Sequence, residues 1–128
     1  MNYPQQYKLE YAVRSSPKIL YNLFSTSHGL ALWFADRVTD RNKIFTFYWN
    51  DSSKQAKMVI AKPCEFVRFQ WLDEPESKTF EFRVSVDEVT NDVALIITDF
   101  ADSKNELKES KMLWDNLVHT LKHQLGVS

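Results

Sequence analysis

The sequence has 128 residues, of which 44% are hydrophobic and 14% aromatic, and its 16 basic and 17 acidic residues leave a net charge of −1. This composition is typical of a folded globular protein and excludes an intrinsically disordered chain. Because the net charge is near zero and no run of Lys or Arg is present, we expect no binding to nucleic acid.

The sequence shows no linker, internal repeat or low-complexity segment, so we expect one domain over residues 1–128. Cys64 is the only cysteine, which rules out an intrachain disulfide and is typical of a reducing compartment. No signal-peptide pattern is visible, and no apolar stretch reaches the roughly 18 to 20 residues that span a bilayer. We therefore expect a cytoplasmic protein without a membrane span.

The first third of the chain predicts one strand followed by two short helices. Residues 7–14 alternate between apolar and polar side chains, as a half-buried strand does. Ser16 is a favourable N-cap and Pro17 suits the first helical position, so a helix is predicted to begin there. After a break at residues 25–29, a second short helix is predicted over residues 30–35.

Alternation of apolar and polar residues predicts four or five antiparallel strands in the middle of the chain. Turn-forming residues separate these segments from one another. The strands are predicted at residues 44–49, 55–61, 65–72, 78–86 and 93–100. The last of them is apolar on both faces, which predicts a strand in the interior of the sheet.

Residues 103–125 predict a long amphipathic helix at the end of the chain. Its apolar side chains form one stripe at about 100° per residue. The stripe consists of Leu107, Trp114, Leu117, Val118, Leu121 and Leu125. At roughly 1.5 Å per residue, only this helix is long enough to cross the concave face of a twisted sheet. The predicted fold class is therefore α+β, with a curved antiparallel sheet wrapped around the C-terminal helix.

Several local motifs occur in a characteristic order along this pattern. They are Ser16-Pro17, Leu20-Tyr21, Leu30-Ala31-Leu32-Trp33-Phe34, and Trp114 with the spaced Leu117 and Leu121. The chain thereby resembles the helix-grip fold of the START-like superfamily (SRPBCC), near its activator-of-heat-shock-ATPase-like and polyketide-cyclase-like families, as a divergent bacterial branch. Leu113 departs from the glycine usual in that family, which implies a tighter approach of helix to sheet.

The resemblance implies a cavity between the sheet and the C-terminal helix that binds a small hydrophobic or amphipathic ligand without catalysis. The aromatic side chains suit the lining of such a cavity, and they equally suit a filled core. Arg68, Arg83 and Asp99 would orient a polar ligand head if buried, or reach solvent or pair with each other. The predicted ligand-binding residues are Trp33, Phe47, Trp49, Arg68, Phe69, Phe82, Asp99, Trp114 and Leu117.

Two other functions stay open at this point. The resemblance to heat-shock ATPase activators implies a protein-interaction or co-chaperone-like module, in which exposed apolar residues or a strand edge support a partner or a homodimer. The residues considered for that surface are Tyr3, Tyr7, Tyr48 and Phe66. A cyclase- or hydrolase-type enzyme would need a wet pocket with a titratable group of shifted pKa. Because no catalytic set is recognisable, we favour a protein that is not an enzyme and predict no cofactor.

The histidines and the cysteine are not assigned to catalysis or to a metal. His119 and His123 have a spacing that suits two metal ligands on one helical turn, but no His-Glu-x-x-His motif accompanies them. Cationic side chains suit the dipole at a helix end, so we expect both histidines in solvent. Cys64 is predicted to be a half-buried structural thiol, and His28 a turn residue.

Overall fold

The structure is a computed structural model that describes residues 3–75 and 78–126, so the remaining six residues of the predicted domain lie outside it. The chain begins with β1 (Gln5–Val13), α1 (Pro17–Ser25) and α2 (Ser27–Leu30). It continues with β2 (Arg37–Arg41), β3 (Ile44–Trp49), β4 (Ser52–Lys62), β5 (Phe66–Trp71), β6 (Thr79–Val86), β7 (Val93–Ala101) and α3 (Lys104–Gln124).

The seven strands form one curved antiparallel sheet in the order β1-β7-β6-β5-β4-β3-β2. Strands β2 to β7 follow one another as a meander. The first strand, β1, pairs with the last strand, β7. Strand β7 therefore lies in the interior of the sheet, as its apolar faces predict. The predicted α+β fold, with short helices after the first strand and a long C-terminal helix, is confirmed.

Helix α3 packs on the sheet through the stripe that the sequence predicts. Ser103 caps it, because its side chain accepts a hydrogen bond from the backbone N–H of Glu106 at 3.1 Å. Trp114, Val118 and Leu121 are buried, and the other three members of the stripe are half-buried.

Within residues 3–75 and 78–126, no helix has both the length and the apolar character needed to cross a membrane.

The second helix begins earlier and is shorter than predicted. It covers Ser27–Leu30, and residues 31–34 form turns instead of the predicted helix over 30–35. Thr26 starts the helix, because its hydroxyl accepts a hydrogen bond from the backbone N–H of Gly29 at 2.9 Å. Gly29 packs directly on α1, where an added Cβ would lie 2.2 Å from the backbone oxygen of Asn22.

Strand β2 was not predicted, because its sequence lacks the alternation that marks a half-buried strand. Val38 is the only buried side chain among its five residues, and the other four are exposed. The strand lies at the edge of the sheet, and among the described residues it pairs only with β3. An edge strand of this kind is held by its backbone ladder and needs little apolar pattern of its own.

Aromatic rings fill the interior of the space between the sheet and α3. The ring of Phe34, which follows α2, stacks on Trp114 of the helix at 5.7 Å and 18°. On its sheet side the same ring contacts Phe47 at 4.9 Å and Phe80 at 5.8 Å. The Phe34 side chain thus connects helix and sheet at the depth where the resemblance implies a cavity. In this part of the molecule the aromatic rings form a filled core.

Candidate functional site

An open cleft with a volume of about 460 Å³ lies between the first half of α3 and strands β4 to β7. The volume falls within the roughly 300–1,000 Å³ of small-molecule sites. On the helix side, Glu106, Ser110 and Leu113 line the cleft, because their spacing places them on one face beside the buried stripe. On the sheet side, Trp71 and Asp99 are among the lining residues.

The floor of the cleft is a hydrogen-bonded cluster around the carboxylate of Asp99. The hydroxyl of Tyr7 donates to Asp99 Oδ2 at 3.3 Å, and the indole N–H of Trp114 donates to the same oxygen at 3.0 Å. The backbone N–H of Phe100 donates to Asp99 Oδ1 at 2.8 Å. The hydroxyls of Tyr7 and Ser110 are also hydrogen-bonded to each other. Strands β1 and β7 and helix α3 therefore all contribute to this cluster.

Burial shifts the ionisation of two groups in the cluster. Burial raises the pKa of the Asp99 carboxyl above its ordinary value, while the donors Phe100, Trp114 and Tyr7 act in the opposite direction. Burial likewise raises the pKa of Tyr7 to about 12, and the negative charge of Asp99 adds to that rise. Such a carboxyl at the floor of a cleft marks a candidate functional site.

The rim of the cleft carries paired charges. Lys78 Nζ lies 2.5 Å from Asp102 Oδ1, and Lys54 Nζ lies 3.3 Å from Glu74 Oε1. Lys54 also stands over the ring of Trp71, 4.5 Å from its centre. Five carboxyl groups and two amines line the whole cleft, so its electrostatic potential favours a neutral or cationic guest over an anion.

Of the nine predicted ligand-binding residues, the structure brings only Asp99 into the lining of the cleft. Trp114 lies directly behind it as a hydrogen-bond donor. Leu117 is half-buried on α3, and Trp49 is half-buried with its indole N–H donating to the Phe34 carbonyl at 2.9 Å. The remaining aromatic members are part of the core. They are Trp33, Phe47, Phe69 and Phe82.

The prediction that Arg68 faces the ligand is corrected by the structure. Its neighbours Val67 and Phe69 are fully buried in the core, so alternation along β5 turns Arg68 to the outer face of the sheet, away from α3. There it forms an ion pair with Glu81, 2.9 Å from Arg68 Nη2 to Glu81 Oε1. The apolar residue that shares its strand face is Phe66, which also lies outside the cleft.

The residues considered for a partner surface are less exposed than that hypothesis requires. Tyr7 is buried in the floor of the cleft, which corrects its assignment to the surface. Tyr48 and Phe66 are half-buried, each under the guanidinium of an arginine at about 4 Å from the ring centre. Tyr3 is also half-buried.

The histidines and Cys64 lie away from the cleft. His119 and His123 are exposed, with their ring centres 6.4 Å apart, and the described part of the chain holds no cluster of three or more metal-binding side chains. His28 is exposed within α2. Cys64 is exposed in the turn between β4 and β5, which corrects the half-buried prediction, and its φ of 61° places it in the left-handed region.

Sequence reasoning missed several residues of the cleft. Ser110 precedes Trp114 by four residues, so the helical period alone places it on the same face of α3. Lys78 and Asp102 carry no such signal, because their pairing joins the turn before β6 to the turn after β7. Only the arrangement of the sheet brings these two residues together.

Comparison with known proteins gives one family match. A family model described as a START-like superfamily domain matches residues 1–127. No curated protein matches the sequence.

Solved structures give similar chains over nearly the full length. A Bacteroides fragilis protein, known from a solution NMR structure, is 37% identical over 94% of this chain and 90% of its own, with a TM-score of 0.67. The Aha1 dimer from Colwellia psychrerythraea is 18% identical over 92% and 93%, with a TM-score of 0.78. CalU16 from Micromonospora echinospora is 14% identical over 94% and 72%, with a TM-score of 0.67. The last two are similar in fold alone.

Proposed function

The chain belongs to the START-like superfamily, and on that premise we propose that it binds a small amphipathic molecule in the cleft between α3 and the sheet. The observation that carries the proposal is the position of Asp99, a largely buried carboxyl at the floor of an open cleft of about 460 Å³. Because aromatic rings fill the interior behind it, the guest would occupy this cleft and not the core.

The cleft offers both a polar and an apolar contact to such a guest. Asp99 and Ser110 supply hydrogen-bonding groups at the floor. Trp71 supplies a half-buried aromatic ring, and Leu113 supplies an aliphatic side chain that is 58% exposed on α3. A guest that covers Leu113 would remove apolar surface from water. The excess of carboxyl groups favours a neutral or cationic head, such as an amine.

The hydrogen bonds of Asp99 support binding over acid–base catalysis. Both of its oxygens accept hydrogen bonds from protein donors, which hold the carboxyl in one orientation. A fixed acceptor suits the recognition of a donor on a ligand, whereas a general base must release its own partners to take a proton.

Titration of the ¹⁵N-labelled protein with octylamine tests the proposal. We expect saturable shifts of the amide signals around Asp99 and Ser110. Leu113→Ser should weaken binding by about tenfold, as loss of one buried aliphatic contact would. Met112→Ser is the matched control, because Met112 is 61% exposed on the same helix but does not line the cleft. Equal effects of the two substitutions, or shifts that never saturate, would contradict the proposal.

A second candidate function is self-association, which the dimeric state of the Aha1 neighbour suggests. Strand β1 lies at the edge of the sheet, and within the described residues its nine positions pair only with β7. An edge of this length offers a second copy a row of backbone groups. Light scattering should then give a dimer mass at micromolar concentration, and a monomer mass at every concentration would remove this candidate.

A further inference from the structure

A second cleft, with a volume of about 580 Å³, lies on the outer face of the sheet, which is turned away from α3. Four of its residues form one row across neighbouring strands, because Arg68 pairs with Glu81, Glu81 with Thr98, and Thr98 with Lys8. Residues directly opposite each other point to the same face of a sheet. The row therefore places two cations, one carboxylate and one hydroxyl side by side.

The carboxylate in this row is already neutralised by arginines. Arg68 Nε and Nη2 donate to Glu81 Oε1 at 3.3 and 2.9 Å, and Arg83 Nε donates to Oε2 at 3.3 Å. A guanidinium has five N–H groups, so both arginines keep donors beyond those used on Glu81. Their side chains are 40% and 38% exposed. Together with Lys8, three cations face one anion, and the cleft keeps a positive excess.

Thr98 adds a hydroxyl to the row, which can donate a further hydrogen bond. Thr98 is 7% exposed and lines the cleft. Its Oγ1 has no hydrogen-bond partner among the described residues. A buried hydroxyl without a partner costs free energy, which a ligand atom bonded to it would recover. The ion pairs with Glu81 give the two arginines a structural role, but they give none to the Thr98 hydroxyl or to Lys8.

The aromatic ring beside the row restricts the cation that lies next to it. The guanidinium of Arg83 stands 4.1 Å from the centre of the Phe66 ring, while Glu81 holds its Nε. These two contacts hold the guanidinium beside the ring and the carboxylate, which reduces the side-chain freedom that binding would cost. A planar donor fixed in this way suits the oxygen atoms of a phosphate or a carboxylate.

We propose that the outer face of the sheet binds a small oxyanion, a phosphate or carboxylate group, between Lys8 and Arg83 with Thr98 donating its hydroxyl proton. The charge preference is opposite to that of the cleft beside α3, and the two clefts lie on opposite faces of the sheet. The two clefts have Thr79 in common at the margin of the sheet, but none of Lys8, Arg83 and Thr98 lines the cleft beside α3, so the binding of one guest can be tested without the other.

Titration of the ¹⁵N-labelled protein with inorganic phosphate, at an ionic strength held constant with chloride, tests the site. We expect saturable shifts of the Lys8 and Thr98 amide signals. Thr98→Val keeps the shape of the side chain and removes the hydroxyl, and Lys8→Gln removes an exposed charge. Each should weaken phosphate binding by about fivefold or more, because each removes one donor to a charged group. Substitution of either arginine is avoided, since it would leave Glu81 buried beside a single cation.

Lys57→Gln is the matched control, because Lys57 is an exposed cation on β4 that does not line the outer cleft. It should leave phosphate binding unchanged. The proposal is overturned if chloride alone produces the same shifts, or if Lys57→Gln weakens binding as much as Lys8→Gln does.

Cosedimentation with phosphatidylcholine vesicles containing phosphatidic acid then identifies the source of the anion. Binding to these vesicles would indicate a lipid headgroup, and phosphate binding without it a soluble molecule.

Discussion

At the scale of single residues, Asp99 connects three elements that are distant in sequence. Its oxygens accept hydrogen bonds from Tyr7 on β1 and Trp114 on α3, and 92 positions separate it from Tyr7. Burial raises the pKa of its carboxyl, so the folded state favours the neutral form more than the unfolded chain does. The carboxyl therefore contributes stability that is fully present below its ordinary pKa of 3.8 and is lost as the pH rises through the folded value.

We expect Asp99→Asn to remove this pH dependence, because an amide does not ionise. The free energy of unfolding of the variant, minus that of the wild type, should become more positive as the pH rises from 3.5 to 7. Urea denaturation across this range, followed by tryptophan fluorescence, measures the difference. Asp40→Asn, at an exposed position on β2, controls for the loss of one negative charge. An opposite trend for Asp99→Asn would mean that the hydrogen bonds of the carboxylate outweigh its desolvation.

At the scale of elements, the contact between α1 and α2 depends on a residue without a side chain. At Gly29, a Cβ would meet the backbone oxygen of Asn22 at 2.2 Å and the Cα of Leu23 at 2.8 Å. We expect Gly29→Ala to destabilise the protein by about 1–3 kcal/mol, since the two helices must separate to admit the methyl group. Thermal unfolding measures the loss, with His28→Ala at the exposed neighbouring position as control. An unchanged melting temperature for Gly29→Ala would show that the two helices do not pack this closely.

Helix α3 is held to the sheet by a few fully buried side chains, of which Leu121 is one. Leu121→Asp would lose about 1.5–3 kcal/mol of apolar burial and would also place a carboxylate in the core. Since domains of this size are stable by roughly 5–15 kcal/mol, we expect the variant to be largely unfolded. Circular dichroism gives the readout. Asn116→Asp, at an exposed position on the same helix, should melt close to the wild type. A folded Leu121→Asp protein would place the helix elsewhere.

At the scale of the whole molecule, strand β1 ties the beginning of the chain to its end. It pairs with β7 over nine positions, and its Tyr11 donates to Asp115 of α3 at 2.6 Å. We propose that sheet and helices unfold as one domain, because none of them keeps a buried face without the others. Urea curves from far-UV circular dichroism and from tryptophan fluorescence should then coincide. Two separated midpoints would divide the chain into independent units.

Local periodicity determined most of the fold in advance. The alternation in residues 44–49 and the stripe from Leu107 to Leu125 depend only on which neighbours along the chain are apolar, and both elements are found where the sequence predicts them. Strand β2 has no such pattern, so the sequence does not predict it. It forms because its neighbour β3 supplies the backbone hydrogen bonds that hold it. The family, too, follows from the order of these elements and their motifs.

The contents of the space between helix and sheet depend on packing between elements that are far apart in sequence. Phe34 and its aromatic neighbours fill the interior of this space. At its edge, Asp99 accepts hydrogen bonds from Tyr7 and Trp114, and Tyr7 is hydrogen-bonded to Ser110, about a hundred residues away in sequence. The face to which Arg68 points likewise depends on which side of β5 is covered by the core. The helices and most of the strands could be predicted from the sequence, because their patterns are local. The candidate site could not be predicted from the sequence, because strand register and helix docking bring its side chains into contact.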